Sequence, residues 1–490
     1  MKLSDYVALD AVALAGLVRS GEVSAGEVVE AAVTAVESIN PVINAVTLLD
    51  ADRALSAARG CDRQAALPGM PLLVKDTGVD VREWPTTHSS RYFKDAAPRS
   101  DSEIARRWRA GGLVLLGKTN TPEFAGDFVT EPGFRGPTLN PWDLSVTAGG
   151  SSGGAAAAVA SGMVPVAHGS DIGGSIRVPA ACCGVFGLKP TRGLNPVGPD
   201  RGEVGGGLYA ENVLSRSVRD SAAMLDITGG PEPGSRSRLV KPVPSYLDWL
   251  DSPGERLRIA CICRRPDGTP VSPEIEAGFV RAVALLEEMG HTLTEARLPS
   301  EADGGAEWNL FWMSEVARII HERARETGRM PRPDEIESLS RHALDCSDRA
   351  SAADYLRAND RAHRACLAMA RAFDGFDLIM TPTTACLPPR LGDISGRGVR
   401  GSEDASDRAA WDYDAWASRA YGFAPFTEIF NVTGQPAASL PLFQSPCGLP
   451  IGIQLAGRWN EDHRLLRISH EMERTTGWTG RRPPIHAGQP

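Results

Sequence analysis

Two glycine-dense, serine-bearing segments limit what this chain can fold into more than any other feature. They are Gly149-Gly150-Ser151-Ser152-Gly153-Gly154 and Gly169-Ser170-Asp171-Ile172-Gly173-Gly174-Ser175, with seven glycines and four serines between them. Glycine adopts positive φ readily and lets backbone approach a ligand, at an entropic cost on folding. Such a density points to a backbone cradle shaped around hydroxyls. The alanine-rich run 155–160 predicts a short helix, and residues 164–168 a short buried strand. The first cluster then opens a helix and the second emerges where a strand ends. Both are places where exposed N–H groups stabilise negative charge.

The surrounding pattern alternates strands and helices. Residues 1–65 read as helical: Ser24-Ala25-Gly26-Glu27 has capping-box spacing, apolar residues then recur at helical intervals, and Asn40-Pro41 is expected to stop that helix. Leu72-Leu73-Val74 is an apolar strand with Lys75 at its end, followed by a helix over 103–110 and a strand over 113–116. The Gly- and Pro-rich stretch 192–255 offers one helix, near 218–225. Further strands are expected over 257–262, 291–298, 378–381 and 451–455. Helices are expected over 273–289, much of 306–374, and 462–475. Residues 392–407 read as a polar surface loop. Continuous apolar strands between helices imply α/β architecture.

Charge and cysteine usage narrow the partners. The net charge is −9 with no basic block, so nucleic acid and anionic membrane are poor partners. No run approaches the length of a membrane span, and no apolar signal core opens the chain. Nine scattered cysteines, without zinc spacing, fit reduced buried thiols and a cytoplasmic location. No metal or cofactor is expected.

The motifs resemble the amidase signature family. Gly-Gly-Ser-Ser-Gly-Gly is followed by Gly-Ser-Asp-Ile-Gly-Gly-Ser-Ile-Arg, with Ser151 and Ser175 24 positions apart, and then by Cys183-Gly184-Val185-Phe186-Gly187-Leu188-Lys189-Pro190. Leu72-Leu73-Val74-Lys75-Asp76 is similar to the family's lysine strand. Residues 115–123, 139–142, 430–437 and 449–454 also fit, in family order along nearly the whole chain. The overall pattern is most similar to bacterial amidases of the 6-aminohexanoate-cyclic-dimer hydrolase type. The resemblance implies one α/β domain over 1–490, a large mixed sheet covered by helices. Within it, 1–65 is the N-terminal helical segment, 66–195 the catalytic core, and 196–490 the remaining sheet with substrate-shaping helices.

The resemblance also implies the chemistry. An amide carbonyl resists attack, so its hydrolysis needs an activated nucleophile, an oxyanion hole and an acid for the leaving amine. Ser175 is the expected nucleophile, and the oxyanion hole is assigned to Ile172, Gly173, Gly174 and Ser175. No His–Asp pair suggests itself; the family supplies Lys75 as base, acting through Ser151, with the Gly150-Ser151 peptide cis. Lys75 must be neutral to accept a proton, and burial away from carboxylates is the physical route. Ser152 is expected to orient Ser151 or its loop, and Asp171 and Arg177 to brace the nucleophile loop. The expected substrate is a hydrophobic, aryl or oligomeric amide, with carbamates and aryl esters open to the same acyl chemistry. The alternative is the glutaminase subunit of a tRNA-dependent amidotransferase. A monomer or homodimer is expected.

Other patterns give competing readings. Gly149-Gly150-Ser151-Ser152-Gly153 fits the nucleophile elbow of α/β-hydrolases, which needs a strand immediately before it; residues 141–147 make an unconvincing one. Residues 112–119 fit a phosphate-binding loop, but the intervening residues are wholly apolar and predict a strand. Trp308, Phe311 and Trp312 recur at helical spacing as core, or as an acyl-pocket wall, with Ser314 a pocket candidate on the same helix. Asn431-Val432-Thr433 is a glycosylation sequon of no consequence in a cytoplasmic chain.

Overall fold

The computed structural model describes residues 1–235, 238–302, 305–396 and 411–488. Eleven strands form one mixed sheet. In chain order they are β1 (Val46–Leu49), β2 (Pro71–Lys75), β3 (Val114–Thr119), β6 (Val166–Asp171), β7 (Phe186–Lys189), β8 (Ala210–Ser215), β9 (Arg258–Cys261), β10 (Thr292–Glu295), β11 (Leu378–Pro382), β12 (Ala437–Gln444) and β13 (Pro450–Gly457). Across the sheet the order is β1-β3-β2-β6-β8-β7-β12-β13-β11-β9-β10. The β2–β3 and β2–β6 pairs are parallel, while β8 runs antiparallel to β6 and β7. β4 (Leu139–Asn140) and β5 (Asp143–Thr147) form a separate two-stranded ribbon.

The central strands are buried along their length, as continuous apolar runs require. Gly112 precedes β3, so the phosphate-loop pattern is a strand. The alanine-rich helix Gly153–Ala160 is buried at every residue, because only small side chains let it press against the sheet. Over the other part of the fold, the long helix Gly305–Thr327 and the helices Ser338–Arg349 and Tyr413–Phe423 pack together through Trp312, Val316, Ile320, Leu339 and Trp416. These helices roof the end of the sheet that carries the serine segments.

Four local expectations are corrected. The helix Ala25–Ile43 opens on the expected capping box but runs past Pro41 to Asn44. Pro41 lies in the last turn, where it costs the helix one i→i−4 hydrogen bond without stopping it, and Asn44 at φ 51° closes the helix. The first 65 residues are not all helical: Val46–Leu49 adds an edge strand antiparallel to β3. β8 was hidden in the Gly- and Pro-rich region because Glu211 and Asn212 are polar, yet it pairs with β6 at six consecutive positions. Residues 143–147 do form a strand, through their own hairpin with β4 and outside the main sheet. The expected loop over 392–407 lies outside the described residues beyond Gly396. Among the described residues no helix is long and apolar enough to cross a membrane, and no group of three or more His, Cys, Asp or Glu could hold a metal ion.

Candidate active site

β2 ends on Lys75, and β6 lies beside it. The Lys75 side chain is fully buried and its Nζ meets three hydroxyls: Ser151 Oγ at 2.7 Å, Ser152 Oγ at 2.9 Å and Ser170 Oγ at 3.1 Å. Its backbone N–H donates to His168 Nδ1 at 3.2 Å. Burial lowers the amine from its usual 10.5 to about 7, against the opposing pull of Asp171 and Glu211. The amine is therefore not away from carboxylates, as the sequence suggested; desolvation outweighs two of them. His168 is also buried, and desolvation followed by the Lys75 charge holds it well below its usual range. It stays neutral and structural.

The first serine segment is clamped from several sides. The Gly150-Ser151 peptide is cis. Thr130 Oγ1 donates to Gly149 O at 2.9 Å and accepts from Gly153 N at 3.1 Å. The Ser152 N–H donates to Ser175 O at 3.1 Å, tying the two serine segments together. Ser152 thus contacts the lysine through its hydroxyl and the second serine segment through its backbone N–H.

The second segment turns around Asp171. Its carboxylate accepts from Gly174 N at 2.8 Å, Ile176 N at 3.1 Å, and Arg177 Nη2 and Nε at 2.8 and 3.0 Å. Asn431 Nδ2 adds a donor at 2.9 Å. Both partners of the Asp171–Arg177 pair are fully buried. Burial alone would raise the Asp171 carboxyl; Arg177 overrides it and holds it at about 2. Arg177 reaches on to Thr427 O and Gln454 Oε1, both at 2.8 Å. The sequon residue Asn431 is accordingly buried inside the brace. With the Gly174 N–H given to Asp171, the N–H groups of Ile172, Gly173 and Ser175 make no hydrogen bond among the described residues. Gly174 itself sits at φ 137°, and a Cβ there would lie 2.4 Å from Thr427 Oγ1.

Ser151, Ser175, Ile172 and Gly173 line one cavity. Six aromatic residues, Phe124, Phe128, Tyr209, Trp312, Trp416 and Tyr421, share its walls with Arg201, Glu315 and Glu428. Asn309 Oδ1 fixes two of these, accepting from Trp312 Nε1 at 2.9 Å and from the Tyr421 hydroxyl. Asp127 also lines the cavity, and burial raises its carboxyl to about 8, so it is uncharged at neutral pH. Of the helical aromatics singled out by spacing, Trp312 lines the cavity while Trp308 and Phe311 are core. Ser314 is not among the lining residues; Glu315, Val316 and Ile319 of the same helix are. Sequence reasoning missed Ser170 as a lysine contact, and Tyr209, Thr427 and Asn431 as neighbours of the site. A serine two places before the Ile172-Gly173-Gly174 turn, on the lysine's side of β6, was the one available signal.

A family model described as Amidase matches residues 27–466. The 6-aminohexanoate-cyclic-dimer hydrolase of Paenarthrobacter ureafaciens is 34% identical over 488 residues, covering 97% of this chain and 96% of that protein. A structure of 6-aminohexanoate cyclic dimer hydrolase complexed with substrate matches with a TM-score of 0.89 at 33% identity, over 98% of this chain and 99% of that one. A bacterial aryl acylamidase matches with a TM-score of 0.86 at 28% identity, over 98% and 99%. The sheet surrounded by helices, the serine segments and these relatives agree: the chain belongs to the amidase signature family and is an amide-hydrolysing enzyme.

Proposed function

We propose that the chain cleaves the C–N bond of hydrophobic, aryl or oligomeric amides through an acyl-enzyme on Ser175, with Lys75 as base acting through Ser151. The observation that carries this is the buried Lys75 amine 2.7 Å from Ser151 Oγ, at the wall of the cavity that Ser175 also lines. In the first step Ser175 Oγ bonds to the carbonyl carbon. Its proton passes to Ser151 Oγ, and that of Ser151 to Lys75. The carbonyl oxygen becomes an oxyanion received by the free N–H groups of Ile172, Gly173 and Ser175, and not by that of Gly174, which Asp171 holds; in this form of stabilisation one donor is worth about 100- to 1,000-fold in turnover. Collapse breaks the C–N bond, and the proton returns from Lys75 through Ser151 to the departing nitrogen. Water then repeats the sequence on the ester. Side chains and backbone supply every step.

The aromatic walls and the uncharged Asp127 favour an apolar acyl or amine portion over a glutamine side chain, and so favour this reading over an amidotransferase subunit. Cyclic-dimer hydrolase and aryl acylamidase relatives point the same way. Carbamates and aryl esters are included, because the oxyanion forms whatever group leaves. The test is a panel of anilides, short nylon-like amides, carbamates, aryl esters and glutamine, assayed with the purified chain alone. Turnover of anilides or nylon-like amides above glutamine is expected; glutamine as the best substrate would overturn the reading. The cytoplasmic, monomeric or homodimeric state belongs to the same proposal, and size-exclusion with light scattering checks the latter.

A further inference from the structure

The three strands β2, β6 and β8 are neighbours, and Ser170 on β6 stands directly opposite Glu211 on β8. Cross-strand partners share a face of the sheet, which is also the face where Ser170 meets the Lys75 amine. Tyr209, two residues before Glu211, lines the catalytic cavity together with Ser170, and donates its phenolic proton to Glu211 Oε1 at 2.5 Å. The phenol fits there because residue 78 is glycine at φ 84°: a Cβ at that position would lie 2.0 Å from Tyr209 Oη. Ser170 and Glu211 are each 2% exposed, and Glu211 Oε2 has no hydrogen-bond partner among the described residues. Tyr209 is thus the hydroxyl that this carboxylate holds.

Proton counting gives the arrangement its direction. A neutral amine has two N–H donors and one lone pair, and Lys75 faces three hydroxyls. Only one of them can donate to the lone pair. Ser152 Oγ lies 3.3 Å from Ser170 O, a carbonyl that only accepts, so the Ser152 proton goes there and its oxygen receives an N–H from Lys75. The proton of Tyr209 goes to Glu211, so on the wall it shares with Ser170 the phenolic oxygen has only lone pairs to offer the Ser170 hydroxyl. The Ser170 oxygen then receives the second N–H. Ser151 alone is left to donate to the lone pair.

We propose that Glu211, through Tyr209 and Ser170, is a positioning residue for hydrolysis: the hydrogen-bond chain it anchors turns the Lys75 lone pair toward Ser151. This rests on the reading of Lys75 as the base. The charged and titratable groups facing Lys75 are Asp171, itself paired to Arg177 with Lys189 behind it, together with Glu211 and His168. Those facing Glu211 are Tyr209, Arg201, Asp80 and Lys75. Burial raises the Glu211 carboxyl to about 7, so the anchor becomes a pure acceptor over the same pH range in which Lys75 loses its proton.

The test compares wild type with Tyr209→Phe and Glu211→Gln on one amide substrate, measuring kcat, KM and the pH profile of kcat. Tyr209→Phe breaks the chain without changing charge. It is expected to lower kcat about 10- to 100-fold, the effect typical of residues that orient a catalytic ligand from behind, with KM within about twofold. Glu211→Gln removes a negative charge that favours protonated Lys75, so the rising limb of the profile moves to lower pH while the plateau falls. A merely structural role would lower the melting temperature and leave that midpoint in place. Wild-type kcat in Tyr209→Phe, or an unmoved midpoint in a folded Glu211→Gln, overturns the proposal; should Glu211→Gln fail to fold, the kcat of Tyr209→Phe decides. Failure of the underlying reading is seen separately, as amide hydrolysis surviving in Lys75→Ala.

Discussion

The Nζ of Lys75 lies 2.7 Å from Ser151 Oγ, joining two buried side chains 76 residues apart in the chain. A proton can move between them only if the amine is neutral, and burial lowers it to about 7. Activity is therefore expected to rise with pH through a midpoint near 7 and to level off above it. Lys75→Ala should lower turnover about 100- to 10,000-fold, the range of a lost general base. A pH–rate profile of wild type beside the variant checks both; a flat wild-type profile from pH 5 to 9 would remove the lysine from the mechanism.

The same depressed amine makes a statement about stability. The unfolded lysine holds a proton up to about 10.5 and the folded one only up to about 7. Between those values the unfolded chain binds more protons, so stability rises with pH across that window and is lowest below it. Lys75→Met should remove this slope and raise the melting temperature most near pH 6. Thermal unfolding at pH 6 and pH 9 measures the difference; equal melting temperatures of variant and wild type at pH 6 would contradict the lowering of the lysine by burial.

Ser175 and Ser151 are expected to differ in kind. A fluorophosphonate should modify Ser175 of the wild type, read by peptide mass spectrometry, and Ser175→Ala should abolish labelling. Ser151→Ala should still be labelled at residue 175, but slowly, because the nucleophile survives and its proton path does not. Labelling of Ser151 in the Ser175→Ala variant would reverse the two roles.

The brace beneath the nucleophile loop is expected to be intolerant. Arg177→Met leaves the Asp171 carboxylate buried without its partner, a change worth about 3–5 kcal/mol. Denaturant unfolding should show a loss of that size together with loss of activity. Gly174→Ala acts locally: its Cβ would meet Thr427 Oγ1 at 2.4 Å. By displacing the turn it should misplace a neighbouring N–H of Ile172, Gly173 or Ser175 and lower kcat by about 100-fold, with far less effect on the unfolding midpoint than Arg177→Met.

Selectivity should follow the aromatic walls. Trp312→Ala removes a face of the cavity whose indole N–H is pinned by Asn309. The ratio of kcat/KM for an anilide over a short linear amide should fall about 10-fold or more, the scale on which a pocket discriminates apolar groups. An unchanged ratio would place the aryl group elsewhere in the cavity.

Much of this molecule was legible from its sequence because the constraints were local. Glycine spacing marked the two turns, the apolar run 72–74 marked the strand ending on Lys75, and the Ala-rich run marked the helix Gly153–Ala160. Local rules failed where pairing supplied what the residues lacked. β8 carries Glu211 and Asn212 into the centre of a sheet because β6 pairs with it throughout and Asn212 Nδ2 finds Leu188 O at 3.1 Å.

The sequence by itself determined the two glycine-bounded serine turns and the strand that ends on Lys75, since spacing and backbone freedom are properties of neighbouring residues, while the roles of Lys75, Ser151 and Ser175 came from the family resemblance. Only the tertiary structure decided that burial outweighs Asp171 and Glu211 at Lys75, that Gly174 gives its N–H to Asp171, and that Tyr209 donates to Glu211 on the cavity wall it shares with Ser170. Desolvation, and the direction in which each proton points, depend on the whole set of atoms packed around a group. Residues far apart in the chain supply most of those atoms.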